Sequence, residues 1–342
     1  MSIRQCIPWP SAALSTLVAL LLGPLTPALA DTAPARFYTE RERFVAEMVD
    51  EHDFEAAELA ALMAGADYQQ VIVDAMNRPY EAKPWGVYRA LFVTPERING
   101  GRRFLAEHQV LLAQAEAAYG VPAAVITAII GIETNYGGTL GSHSVLDALS
   151  TLGFAYPRRA DFFRKELKEF LLLAREESVD PATVLGSYAG AVGKPQFIPS
   201  SYRAYAVDFD GDGHRNLWES DADVIGSVGA YLAQHGWQRG QPIAAAATLT
   251  GPLGPGIEVG GKRPLPPSLS VAQLEAAGVV PAQRLQPDAR AALIKLDGDG
   301  SEYWVTLDNF YVITRYNHSN LYALAALELS RAIVPTAPYP GD

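Results

Sequence analysis

Apolar residues recur at helical spacing along most of the chain, and the breaks between these runs fall at residues that start or stop helices. Between Thr39 and Leu112, Thr39 with Glu42 reads as a capping box ahead of Phe44, Val45, Met48 and Val49. Asp53 and Asp67 read as N-caps of later helices, and Thr94-Pro95 opens another at its first turn. An amphipathic helical domain without chemistry of its own accounts for these residues. From Val121 to His235 the pattern stays helical but carries more glycine and polar residues. Leu249 to Leu269, crowded with Gly and Pro, reads as loop. Ala292 to Leu296 and Glu302 to Leu307 are strand-like and joined by Asp297-Gly298-Asp299-Gly300. Phe310 to Thr314 is expected as a third strand of a small antiparallel sheet. After Arg315-Tyr316-Asn317 the helical period returns, with Leu321, Leu324, Ala325 and Leu327 on one side.

This pattern predicts a mainly α, α+β chain: a helical domain over 31–118 joined by a C-terminal helix over 318–336, a helical core over 119–235, and a small antiparallel β domain over 236–317. Residues 1–30 read as a cleavable export signal. Arg4 precedes the apolar run Ala12 to Leu22, which is too short to span a bilayer, and Ala28-Leu29-Ala30 supplies the cleavage pattern. Cys6, the only cysteine, precedes that run, so no lipid anchor is expected and the exported chain carries no disulfide or thiolate ligand. The formal charge is -11, one unit more negative without Arg4. With no Lys/Arg-rich block, nucleic acid is an unsuitable partner.

Glu133 is the first candidate for chemistry. The segment from Pro122 to Gly137-Gly138 reads as one helix that places Ile126, Ile129, Ile130 and Glu133 on the same face. An acid on an apolar face near the negative end of a helix is expected to hold its proton more tightly. A plainer alternative is a structural pairing with a cation such as Arg158. The stretch Ser187 to Tyr202 combines flexible glycines with Ser and Gln side chains and aromatic faces, a lining suited to sugar rings edged by hydroxyls. A second motif, Asp208-Phe-Asp210-Gly-Asp212-Gly213-His214 continuing to Glu219, fits the EF-hand calcium pattern in full. Three carboxylates at alternate positions converge, Gly213 allows the turn, and His214 offers its backbone carbonyl. Asp297 to Gly300 lacks the loop glycine and reads as a hairpin turn. No histidine-based zinc motif, nucleophile elbow or phosphate loop is present.

Gly131-Ile-Glu133-Thr-Asn-Tyr-Gly137, Phe154-Ala-Tyr156-Pro-Arg158-Arg159-Ala, the Ser187 to Tyr202 stretch and Arg315-Tyr316-Asn317-His318-Ser319 together resemble the lytic murein transglycosylase B family, in order and spacing through nearly the whole exported chain. The resemblance implies a lysozyme-like catalytic core in the periplasm acting on peptidoglycan glycan strands. Glu133 would protonate the glycosidic oxygen between N-acetylmuramic acid and N-acetylglucosamine, then deprotonate the muramyl C6 hydroxyl as it closes on C1 to a 1,6-anhydro end. By the same resemblance Ser187, Gln196, Tyr316 and Asn317 would bind the sugar, and Tyr88, Arg158 and Arg159 would line the groove, the arginines suiting peptide-stem carboxylates. The family's longer calcium loop favours Asp223 over Glu219 as the closing ligand, with the ion structural. Cell-wall synthesis or remodelling proteins are the further partners it suggests. Most glycosidases use two carboxylates; this motif supplies one, and Asp147 and Asp161 stay open as a second. The alternatives are a hydrolytic muramidase using the same Glu133, or an inactive peptidoglycan-binding scaffold.

Overall fold

The structure, a computed structural model, describes residues 33–77, 83–298 and 300–334; the expected export signal lies outside them. Helix α1 (Ala35–His52) starts at Pro34, a turn earlier than the capping box predicts, because Phe37 extends the buried face toward the N-terminus. Thr39 therefore sits inside the helix with its hydroxyl donating to Ala35 O. Asp53 ends α1 in the left-handed region rather than starting α2 (Ala56–Ala64), which Glu55 caps instead. Asp67 is not a cap either: its N–H donates to Asp147 Oδ1 ahead of α3 (Gln70–Met76). Helix α4 (Trp85–Phe92) follows, and α5 (Pro95–Glu107) opens as expected, with Thr94 Oγ1 accepting from Arg97 N and proline at the first turn. Helix α6 (Gln109–Tyr119) closes this part.

Helix α7 (Ala123–Thr134) is the centre of the molecule: Ala124 to Ile132 and Thr134 are all buried. Its composition, apolar on every side, is what a fully enclosed helix requires. It ends at Asn135 in the left-handed region, not at the glycine pair. Around it lie α8 (Val145–Ala155), α9 (Ala160–Glu176), α10 (Pro199–Tyr205) and α11 (Asp221–Gln234). Strands β1 (His143–Ser144) and β2 (Leu185–Gly186) pair beside α8. The last helix, α14 (Asn320–Ile333), returns to pack on α7, α4 and α5.

The sheet runs in the order β4 (Val259–Gly260), β7 (Arg290–Gly298), β8 (Gly300–Leu307), β3 (Ala244–Leu249), β6 (Val279–Pro281), with β5 (Leu269–Ser270) also on β7. It is antiparallel except where β4 pairs β7 in parallel. The β7–β8 hairpin turns at Gly298–Gly300, as the Asp-Gly repeat predicts. Side chains alternate strictly: Ile294, Leu296 and Trp304 join the main core, whereas Leu293, Val305 and Leu307 pack with Val271 and Leu274 of α12 (Val271–Ala276) in a second, smaller core. Phe310 to Thr314, expected as a strand, is part of helix α13 (Asp308–Tyr316). Phe310, Ile313 and Thr314 are buried at helical spacing, so β-rich composition loses to a face that must meet the core every third or fourth residue. The alanine run of β3, a poor strand former by composition, is a central strand because its neighbours pair it on both sides.

Asn309, 1 % exposed, locks α13 to the segment after α11: Nδ2 donates to Gln238 O and Gln241 O, each at 2.9 Å, and Oδ1 accepts from Gln238 N at 2.8 Å. Asn309→Ala leaves three backbone groups without their partner and is expected to cost about 3 kcal/mol, read as a lower urea midpoint at unchanged slope.

Candidate active site

Glu133 stands on the last turn of α7, the one half-buried side chain in a run of buried ones. Tyr322, 2 % exposed on the first turn of α14, donates its hydroxyl to Glu133 Oε1 at 2.5 Å. Sequence reasoning passed over Tyr322; its signal was a tyrosine within the apolar face of the last helix, three residues after the Ser319 cap. Tyr316 lies nearly parallel to Tyr322, ring centres 6.3 Å apart at 9°, and donates its hydroxyl to Pro195 O at 2.7 Å. Tyr231 packs edge-on to Tyr316 and donates to Arg315 O. Burial, and then the charge of Glu133, push the phenols of Tyr316 and Tyr322 well above their ordinary range, so both act as hydrogen-bond donors across the working pH range.

The opposite wall is the Ser187 to Tyr202 stretch. A backbone bridge between Val192 and Phe197 closes a tight turn over Gly193 to Gln196. Gly193 has φ 70°, and a Cβ there would meet Leu217 O at 2.7 Å, so only glycine fits. Gln196 has φ 51°, an uncommon value for a side chain of its size, held by Nε2 donating to Leu140 O and Gly193 O. With its N–H groups committed, Gln196 presents its oxygen as an acceptor. Ser187 Oγ accepts from Ala189 N and Ala191 N; both lone pairs are used, so its hydroxyl acts as a donor. Thr134, next to Glu133, donates to Lys194 O at 2.8 Å and joins the two walls.

Beside this wall runs a cleft of about 990 Å³, lined among others by Arg159, Gln196, Tyr231, His235, Tyr316 and Asn317; Glu133, Tyr322 and Ser187 are not among its lining residues, and Tyr316 connects the cleft to Tyr322. Arg159 is exposed and stacks over Phe162 at 4.2 Å, whereas Arg158 is exposed and is not part of the lining. Tyr88 does not line the groove: it is 2 % exposed and packs against Phe92, because the apolar face of α4 turns inward against α14. Asp147 faces Asp67 N and Asp161 lies exposed on the first turn of α9; neither lines the cleft. The carboxylate that does, Glu169, pairs with Arg203. Trp85, Trp237 and Trp304 are core residues.

Two groups of acids shape the margins. Glu166, 2 % exposed on α9, accepts from Ser200 N and Ser200 Oγ and so caps α10 from outside. In the Asp208 to Asp223 loop, carboxylate oxygens of Asp208, Asp210 and Asp212 lie within 4.8 Å of one another. Gly213, at φ 95°, gives its N–H to Asp208 Oδ2, which with the Gly211 and Asp212 N–H groups holds the Asp208 carboxyl below its usual range. Asp223 is not part of this cluster. Its oxygens accept from Phe209 N and Asn216 N, both at 2.7 Å, because Ser220 caps α11 and fixes Asp223 under the loop. The expected closing ligand thus also ties the loop's two ends together, next to Asp210.

The family model described as the transglycosylase SLT domain matches residues 36–331. The chain is 42 % identical over 303 residues to the membrane-bound lytic murein transglycosylase B of Escherichia coli K12, covering 85 % of this chain and 82 % of that one. Among solved structures, the soluble lytic transglycosylase SltB1 of Pseudomonas aeruginosa superposes with a TM-score of 0.79 at 47 % identity, covering 86 % of this chain and 98 % of that one. The E. coli lytic transglycosylase SLT35 in complex with calcium superposes with a TM-score of 0.78 at 42 % identity, covering 86 % and 92 %.

Glu166 gives a pH test. Burial raises its carboxyl above the ordinary range against the lowering effect of the two Ser200 donors. A raised folded-state value means that the stability this group contributes is present below its unfolded value and is lost as pH rises through the folded one. Glu166→Gln keeps the shape without titrating. Its melting temperature relative to the parent chain is expected to climb from acid to neutral pH; a difference that stays flat or falls contradicts this assignment.

Proposed function

Because the chain belongs to the transglycosylase SLT family and is a peptidoglycan lytic transglycosylase, we propose that Glu133 is the one carboxyl that carries its reaction. The observation behind this reading is that Glu133 is held by Tyr322 beside Thr134, which ties α7 to the Ser187 to Tyr202 wall, while the carboxylate lining the neighbouring cleft, Glu169, is paired with Arg203. Protonated Glu133 gives its proton to the glycosidic oxygen linking N-acetylmuramic acid to N-acetylglucosamine, and the C1–O bond breaks. The resulting carboxylate takes the proton of the muramyl C6 hydroxyl as that oxygen bonds to C1, leaving a 1,6-anhydro ring. The proton returns to Glu133 and no water enters. A single acid suffices because the substrate carries its own nucleophile, where two-carboxylate glycosidases must bring a second group. Tyr322 holds the carboxyl in one orientation through both steps.

Sugar recognition falls to the donors and acceptors around it: the Ser187 hydroxyl as donor, Gln196 oxygen as acceptor, Asn317 for acetamido or hydroxyl groups, and the Tyr316 face against the ring. Arg159, held over Phe162, suits a peptide-stem carboxylate, with its exposed neighbour Arg158 as a second cation. Asp208, Asp210 and Asp212 with the His214 carbonyl are the proposed calcium ligands, an oxygen set such an ion prefers, and Asp223 braces the loop beneath them. Calcium there supplies charge neutralisation and cross-links the loop. With residues 1–30 as the signal, the enzyme works in the periplasm where its substrate lies.

Glu133→Gln keeps the hydrogen-bonding shape but supplies no proton, and turnover of purified sacculi should fall by about 10²–10⁴-fold. Muropeptides released by the parent enzyme, weighed by mass spectrometry, should lack one water relative to hydrolysis products; reducing muramic ends alone would identify a muramidase. Calcium should raise the melting temperature of the exported chain and a chelator reverse this, with the response absent in Asp210→Ala.

A further inference from the structure

Three glycines stand inside helices where alanine would be the better helix former by about 1 kcal/mol each: Gly100 and Gly101 of α5, and Gly131 of α7. One side chain occupies the space they leave. A Cβ at Gly100 would lie 2.7 Å from the Tyr136 ring, at Gly101 2.6 Å from its hydroxyl oxygen, and at Gly131 2.6 Å from that oxygen and the ring carbon bearing it. Gly101 also receives α14, since the same Cβ would lie 2.5 Å from Ile333. Tyr136 reaches this slot at φ 61°, directly after Asn135 at φ 51°. Two successive left-handed residues with side chains are a costly way to leave a helix, kept only where the surroundings hold them. Here they do. Tyr136 Oη donates to Arg97 O at 2.8 Å, Arg97 Nε donates to Gly131 O at 2.9 Å, and Phe104 packs against the ring at 5.6 Å.

We propose that Tyr136 is a positioning residue for the Glu133–Tyr322 pair: seated on the three glycines, its ring sets the spacing of α7 and α14 against α5 and so fixes the hydrogen bond that orients the acid. The geometry is that of a common gauge. The helix bearing Glu133 meets α5 through Tyr136 and Gly131, and the helix bearing Tyr322 meets one of the same α5 glycines, Gly101, through Ile333. Glu133 lies three residues before Tyr136, on the turn whose Gly131 carbonyl Arg97 holds. The residue touches no reacting atom; it acts through the pair. This inference rests on Glu133 as the acid, and an active Glu133→Gln would remove that premise without bearing on the slot.

The test is a double-mutant cycle on sacculi turnover, with kcat, KM and melting temperature read for each protein. Tyr136→Asn keeps the left-handed preference and empties the slot; kcat should drop by about 10²-fold with KM changed by less than about threefold, as misplacement of a catalytic group does. Tyr136→Phe, which keeps the ring, should stay within about threefold of the parent kcat. In a Tyr322→Phe background, Tyr136→Asn should cost far less, because the bond it positions is already absent. Equal cost in both backgrounds overturns the proposal, as does a kcat loss no larger than the loss of folded protein. If Tyr136→Asn does not fold, Gly131→Ala carries the test: it keeps the tyrosine and displaces its ring. An unchanged kcat in folded Gly131→Ala overturns the proposal equally.

Discussion

A carboxyl group on a helix with no solvent-facing side has to be held by something other than water, and much of the molecule is arranged to satisfy that constraint. Helix α7 is enclosed on all sides, and its single acidic residue meets a buried phenol brought back from the far end of the chain. Burial keeps that phenol protonated, so it donates whatever the acid's own state. The aromatic layer of Tyr316, Tyr231 and Phe197 continues the same principle outward: apolar faces exclude water while hydroxyls reach backbone carbonyls of the opposite wall. The cleft therefore has an aromatic back and a polar rim.

The Asp208 to Asp223 loop and the cleft are joined through few atoms. Leu217 O accepts from Lys194 N, and Lys194 Nζ reaches Glu219 O and Asp221. Lys194 directly precedes the Pro195-Gln196 turn that anchors Tyr316. A cation in the loop would stiffen Asn216 to Ser220, and with it the backing of the Gly193 to Gln196 turn.

Much of this was legible in the sequence because local signals and tertiary demands agreed. The acid on its apolar helix, the Thr94-Pro95 start and the Asp-Gly hairpin are examples, each specified within a few residues. The failures have a common physical origin. Phe310 to Thr314 has strand-like composition but needs a three-to-four residue period to meet the core. Alanines 244 to 247 form a strand because β8 pairs with all four and β6 takes over from Ala247 on the other side. Asp53 and Asp67 look like helix caps but serve a left-handed exit and a contact with α8. Tyr322 was hidden among leucines, and Tyr88 looked available to substrate although α14 covers it. Asp53 apart, the deciding partner lies far away in the chain, where local pattern has no reach.

The link between Glu133 and Tyr322 spans 189 positions. A growing polypeptide makes α7 long before it makes α14, so the acid exists for most of synthesis without the phenol that orients it. Closing so long a loop is a late event in folding. The last helix therefore acts as an arming step: a chain interrupted before α14 begins has Glu133 but not the phenol that orients it. For an enzyme that cuts the wall enclosing its own cell, competence arrives only with the completed fold.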